Sequence, residues 1–187
     1  IEHIPHEDIS GLTIAESEDE GDVEAAIPPD SALCADCARE LFDVSHPKHR
    51  YPFINCTNCG PRFSIVEGVP YDRANTSMND FPMCTRCDTE YRSIADRRFH
   101  AEPNACRDCG PRVTLHDGTG TVTAGDSDAA IAAAARLLKA GRIVAIKSIG
   151  GFHIAADPFN NAAVSRLRKI KGRDTKPFAL MAGTLST

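Results

Sequence analysis

Residues 34–59 read CADCARELFDVSHPKHRYPFINCTNC, and residues 84–109 read CTRCDTEYRSIADRRFHAEPNACRDC. Every cysteine of the chain lies in these two stretches, as the C-x-x-C pairs Cys34/Cys37, Cys56/Cys59, Cys84/Cys87 and Cys106/Cys109. The gaps between pairs are 18, 24 and 18 residues, and adding 50 to the first four positions gives the last four. The module is therefore duplicated. Within each copy, C-x2-C-x18-C-x2-C matches the spacing of a four-cysteine zinc site. A C-x-x-C turn sets two thiolates on one side of a tight loop, and a second such turn closes a tetrahedron around one ion. Gly60-Pro61-Arg62 and Gly110-Pro111-Arg112 follow the second pair of each copy. A glycine there can take positive φ and let backbone N–H groups face the sulfurs.

Disulfides or redox chemistry are the competing readings of the same eight cysteines. The first lacks any other sign of a secreted chain, and the second does not need four copies of the motif. A shell of four sulfurs leaves no position for water or substrate, so the two zinc ions are expected to be structural. Spacing alone admits both local pairing, one zinc per module, and an interleaved pairing of outer with inner loops. His46, His49 and His100 are surplus to shells already filled by sulfur.

At 187 residues the chain can hold one sizeable domain or two small ones. A zinc segment of this size is poor in apolar core, and a structural zinc contributes on the order of 10–16 kcal/mol of apparent binding energy in small modules. No run of 18 apolar residues occurs, which predicts no membrane span. The start at Ile1 shows no basic segment followed by an apolar one, so no secretory signal is read, and reduced thiols point to the cytoplasm. The absent initiator methionine and the end at Ser186-Thr187 suggest an excerpt of a longer protein.

The net charge of −5 is unevenly spread. Residues 1–30 carry ten acids and no Lys or Arg, residues 31–112 eleven of each, and residues 113–187 ten bases against five acids. A near-neutral cysteine region disfavours nucleic acid as a partner, and the basic third is where an anionic ligand belongs. These shifts divide the chain into an acidic linker from an upstream domain (1–30), a tandem finger region (31–115), a linker (116–126) and an α/β segment (127–187).

Within the finger region, residues 38–43 and 88–93 read as matched helical turns, with Glu40 and Glu90 at equivalent positions. Basic-aromatic patches follow at residues 49–53 and 97–100, which predict local cation–π packing. Residues 63–66 and 113–115 read as short strands. Asp126 or Ser127 can cap a helix over 129–140 that Gly141 ends. A strand is predicted over 142–147, a loop over 148–153, a second helix near 162–170 and a last strand over 178–182, an α-β-α-β order. Lys147 at a strand end, the Gly150-Gly151 pair, and Lys171, Arg173 and Lys176 in a K-x-R-x-x-K turn can together hold phosphates. No Walker loop occurs. His153 and Asp157 read equally as helpers in chemistry and as packing or capping residues.

The eight-cysteine spacing, with NCTNCGPRFS at 55–64, VPYDR at 69–73, TSM at 76–78 and RRFH at 97–100, resembles the HypF family of NiFe-hydrogenase maturation carbamoyltransferases. The resemblance continues through AIKSIGGFH at 145–153 and KGRDTKPFALM at 171–181, which are similar to the opening of that family's YrdC-like domain. Ser148 departs from the family's more usual glycine. The implied architecture is a pair of small zinc-bound α+β modules, tandem C4 zinc fingers, followed by the beginning of an α/β YrdC-like domain. The implied activity belongs to the full-length parent: carbamoyl phosphate and ATP yield carbamoyl adenylate, which carbamoylates a cysteine of a hydrogenase-maturation partner as precursor of a cyanide ligand. Lys147, Lys171, Arg173 and Lys176 are the positions it implies for nucleotide binding, and the excerpt alone is expected to be inactive. The alternatives are a chaperone-like zinc module that binds unfolded protein, and a zinc-dependent protein- or RNA-interaction module attached to a YrdC domain of the tRNA threonylcarbamoylation type.

Overall fold

A computed structural model describes residues 27–148 and 151–183. The acidic stretch over residues 1–26, Ile149-Gly150 of the predicted phosphate loop, and residues 184–187 lie outside the described residues.

The sequence repeat is a structural repeat. Helix α1 (Ala35–Phe42) leaves the first knuckle and helix α2 (Thr85–Arg92) leaves the third, again 50 residues apart. Cys34 and Cys84 occupy the N-cap positions, so each helix begins on a sulfur ligand candidate. Both helices are followed by a tight turn that returns to them: Arg50 N–H donates to the Leu41 carbonyl (2.8 Å) and His100 N–H to the Tyr91 carbonyl (3.0 Å). Arg50 and His100 are the non-glycine residues at positive φ among the described residues, 55° and 45°. That conformation is uncommon for a side-chain-bearing residue. Its occurrence at equivalent positions marks the same turn made twice.

Between the modules the chain runs through one-turn 3-10 segments, Phe63–Ile65, Arg73–Asn75 and Ser77–Asp80. The strand expected over 63–66 is replaced by the first of these. Among the described residues no neighbouring strand offers it a ladder, and its pairing is limited to the isolated bridge from Val66 to Thr76. Arg73 holds this connector to the second module by donating to the carbonyls of Glu102 and Asn104, and it also donates to the Phe81 carbonyl.

The core of the finger region is small: Tyr51, Ile54, Ile65, Met78 and Ala105 pack around Cys37, Cys56 and Cys59. Sulfur, rather than an aliphatic layer, stands at the centre of the cluster. So little apolar burial is a small contribution for a region of this size, where a metal ion held by the cysteines would add to the order.

The segment 116–126 closes a small hairpin, β1 (Leu115–His116) with β2 (Val122–Ala124), around a turn in which Asp117 accepts from the N–H groups of Thr119 and Thr121. The strand expected over 113–115 is thus displaced toward the turn. Helix α3 (Ser127–Lys139) follows, capped by Asp126, whose carboxylate accepts from Ala129 N–H (3.0 Å). Its first turn docks on the fingers: Arg50 pairs with Asp128 (2.9 Å), and Val113 N–H donates to Ser127 Oγ (2.9 Å).

Beyond Gly141 the order is β-β-α rather than the expected β-α-β. Strands β3 (Val144–Ser148) and β4 (Gly151–Ala155) form an antiparallel hairpin with Ser148 opposite Gly151 and Val144 opposite Ala155. Phe152 and His153, expected in a loop, are therefore strand residues. Helix α4 (Asn161–Lys171) is capped by Asn160 and ends at Gly172 in the left-handed conformation. Residues 178–182, expected as a strand, have no ladder partner among the described residues and take no regular form.

Candidate metal centres

The structure brings the cysteines together within each module. The sulfurs of Cys34, Cys37, Cys56 and Cys59 lie within 4.8 Å of one another, as do those of Cys84, Cys87, Cys106 and Cys109. The interleaved pairing is not adopted. Individual separations are 3.6 Å for Cys34 to Cys56, 3.9 Å for Cys56 to Cys59, 3.8 Å for Cys84 to Cys106 and 3.7 Å for Cys106 to Cys109. A tetrahedron with Zn–S bonds of about 2.3 Å has edges of about 3.8 Å. A disulfide needs about 2.05 Å. All eight cysteines are free, and the spacing between their sulfurs is that of ligands around an ion.

The electrostatics of the sulfurs suit a central cation. Burial raises the thiols of Cys37, Cys56, Cys87 and Cys106 and favours their neutral form. Burial also acts on Cys34 and Cys109, but N–H groups of the knuckles outweigh it: Cys37 N–H and neighbouring thiols bring Cys34 to about 7, and the N–H groups of Cys84 and Cys106, again with neighbouring thiols, do the same for Cys109. Knuckle amides aimed at sulfur favour the thiolate. A divalent ion at the centre reverses the effect of burial and takes the thiols as thiolates.

The two Gly-Pro-Arg knuckles share a sequence and differ in what they ask of glycine. Gly60 has φ of 74°, the expected positive-φ turn. Gly110 does not; it is required because a Cβ there would stand 2.0 Å from the Tyr51 hydroxyl and 3.0 Å from the Cys106 carbonyl oxygen. The first module thus presses its tyrosine into the second module's knuckle.

Among the described residues, the basic-aromatic patches do not form the expected cation–π pairs. Cations of the two modules cross over instead. Arg97 and Arg98 both pair with Glu40, and Lys48 pairs with Glu90 (2.8 Å). A carboxylate on the opposite module attracts these cations more strongly than a local ring face does, and the pairing is mutual. Burial raises Glu40, but the two guanidiniums outweigh it and hold the carboxyl below its usual range. The match of Glu40 with Glu90 is visible in the sequence; nothing there signals that Lys48 is buried.

The phosphate-site residues fall in two groups. Lys147 is exposed on β3, with its ammonium 5.5 Å from the centre of the Phe152 ring. Lys171, Arg173 and Lys176 are exposed around the turn after α4. That turn is organised by Arg168, whose guanidinium donates to the carbonyls of Arg173 (3.3 Å), Asp174 (3.4 Å) and Lys176 (3.2 Å) and lies over the Phe178 ring. Drawing the carbonyls inward leaves the cationic side chains outside. Among the described residues no hydrogen bond or ion pair joins Lys147 to the turn. Asp157 accepts from Phe159 N–H just ahead of α4, in the turn that leads into the helix.

Two sulfur tetrads on duplicated helical knuckles, followed by an α/β segment with a cationic turn, define a tandem zinc-finger protein that continues into a second, α/β domain. Comparison with known families names both parts. The family model described as HypF finger matches residues 33–66 and 83–116, and the Sua5/YciO/YrdC model, described as telomere recombination, matches residues 136–187. Over nearly its whole length the chain is similar to proteins of the HypF family. It is 52% identical over 172 residues to carbamoyltransferase HypF of Rhodobacter capsulatus, covering 92% of this chain and 22% of that protein. It is 47% identical over 177 residues to a probable carbamoyltransferase HypF of Methanocaldococcus jannaschii, covering 94% and 23%. The chain thus spans about a fifth of the length of the curated relatives it matches. A crystal structure of full-length HypF in its phosphate- and nucleotide-bound form superposes with a TM-score of 0.76 at 52% identity, over 86% of this chain and 20% of that one. The HypF of T. kodakarensis gives 0.76 at 50% identity, over 82% and 20%.

Proposed function

We propose that this chain is the zinc-finger segment and the opening of the YrdC-like domain of a carbamoyltransferase that serves NiFe-hydrogenase maturation. The observation that carries the reading is identity of about half, over more than nine-tenths of the chain, to proteins named carbamoyltransferase HypF. Each tetrad holds one zinc ion, the first by Cys34, Cys37, Cys56 and Cys59 and the second by Cys84, Cys87, Cys106 and Cys109. The ion's part is structural: it crosslinks two knuckles and leaves no coordination position for a reactant.

In the full-length parent, water cleaves carbamoyl phosphate to carbamate and inorganic phosphate. A carbamate oxygen then attacks the α-phosphorus of ATP, forming carbamoyl adenylate and releasing pyrophosphate. A thiol of the hydrogenase-maturation partner attacks the carbamoyl carbon, giving up its proton and releasing AMP, and the resulting thiocarbamate is the precursor of a cyanide ligand. Lys147, Lys171, Arg173 and Lys176 bind the nucleotide phosphates. Cationic side chains held outward by the Arg168-centred turn support that role, as does a relative crystallised with phosphate and nucleotide. The parent acts in the cytoplasm, in keeping with eight unpaired thiols; no helix among the described residues is long and apolar enough to cross a membrane.

Pyrophosphate–ATP exchange by the full-length parent tests the reading. Exchange that depends on carbamoyl phosphate is expected. Exchange indifferent to carbamoyl phosphate would overturn it and favour the tRNA-modifying type of YrdC chemistry.

A further inference from the structure

Each finger sends a cation into the sulfur cluster of the other. Lys48 belongs to the first finger, yet its ammonium is surrounded by the second: Cys87 Sγ at 3.5 Å, Asn104 Oδ1 at 2.9 Å, the Ala105 carbonyl at 2.9 Å and Glu90 Oε2 at 2.8 Å. Only 1% of its side chain is exposed. Arg97 belongs to the second finger, and its guanidinium lies 2.9 Å from Cys56 Sγ and 3.6 Å from Cys37 Sγ of the first, braced by Glu40. The ion pairs of this exchange follow the repeat, whereas Arg97 stands one position before the residue equivalent to Lys48. Lys48 and Arg98 are equivalent by the shift of 50, as are Glu40 and Glu90, and the pairs Lys48–Glu90 and Arg98–Glu40 are the same contact made in both directions.

Burying a lysine is costly unless its three N–H groups are met. Here they are met by groups of the opposite finger, one of them a sulfur. A zinc ion with four thiolates carries a net charge of about −2, and a cation hydrogen-bonded to a sulfur offsets part of it where water cannot reach. On the reading that both tetrads hold zinc, we propose that Lys48 and Arg97 are positioning residues that secure the metal of the opposite finger, so that the two fingers form one interlocked metal-binding unit.

The test uses the zinc-loaded chain, challenged with a chelator and an alkylating reagent, with each cysteine followed by mass spectrometry. Lys48→Met should speed alkylation of Cys84, Cys87, Cys106 and Cys109 by about tenfold or more, the scale on which outer hydrogen-bond partners tune metal sites, and leave Cys34, Cys37, Cys56 and Cys59 near the wild-type rate. Arg97→Met should do the reverse. Lys48→Arg keeps the cation and should restore retention at least in part, since arginine makes the equivalent ion pair at position 98 and a sulfur contact at position 97. In the cobalt-substituted protein, Lys48→Met should move the sulfur-to-metal charge-transfer band to lower energy, because a thiolate without its donor is easier to ionise. Arg97 is more accessible than Lys48, so its variant decides the matter if Lys48→Met fails to fold. Faster alkylation in the mutated residue's own finger, equal acceleration in both, or none in either variant would overturn the inference while leaving zinc in place. A wild-type chain without two zinc ions would overturn the metal reading and this inference together.

Discussion

The finger region and the α/β segment solve the problem of stability in opposite ways. The fingers bury charge: Lys48, Arg98 and Glu102 sit in the interior of the finger pair, each with partners. The α/β segment buries no charged side chain among its described residues; large apolar groups stand exposed in both regions, Phe42, Val44 and Ile94 in the fingers and Phe152, Phe159, Leu180 and Met181 in the α/β segment. Apolar side chains in the finger core are few, so the order there depends on a central ion and on polar contacts whose energies are conditional on it. In the α/β segment, order depends on helix caps and a two-stranded hairpin, which alone are modest contributors. The two parts should therefore respond to different perturbations.

Metal removal should separate them most sharply. Chelation should unfold residues 34–109, since a structural zinc supplies on the order of 10–16 kcal/mol in small modules. Backbone amide resonances of the fingers should collapse while those of α4 persist. Fingers that keep their dispersed spectrum without metal would erase the contrast.

The cationic turn offers the converse experiment. In the full-length parent, Lys171→Ala or Arg173→Ala should weaken ATP binding by roughly 1.5–3 kcal/mol per lost charge-assisted contact, with zinc content untouched. Calorimetric titration that finds unchanged affinity in both variants would make the turn a solvated feature.

Smaller effects sharpen the comparison. Gly110→Ala in the fingers should cost about 1–3 kcal/mol, as overpacking does, because the new Cβ meets the Tyr51 hydroxyl and a backbone carbonyl. A urea midpoint equal to wild type would deny the close approach. Asp126→Ala removes the cap of α3 and should cost about 1 kcal/mol. Circular dichroism should show lower helicity in that variant, with its zinc content unchanged.

How much of the molecule is legible in the sequence follows from how local each feature is. The two tetrads are readable because C-x-x-C knuckles and a fixed 50-residue repeat are written along the chain. Helix α3 is readable from Asp126, an alanine-rich run and Gly141. The β3–β4 hairpin is not: Ser148 to Gly151 reads as a loop, and only the antiparallel register, with Ser148 facing Gly151, makes Phe152 and His153 strand residues. The crossed cations are hidden for a similar reason. Lys48 resembles any surface lysine until the second finger folds over it, and the matched Glu40 and Glu90 hint at pairing without telling which module holds the partner. Gly110 shows the limit in miniature, since an identical Gly-Pro-Arg needs its glycine for a turn at one knuckle and for a neighbour's hydroxyl at the other.

Zinc K-edge absorption of the purified chain, combined with elemental analysis, tests the central claim most directly. Two zinc ions per chain, each with four sulfurs at about 2.3 Å and no nitrogen or oxygen ligand, are expected from two closed tetrads. One zinc per chain, a shell containing a histidine or water, or sulfurs found as disulfides would contradict it.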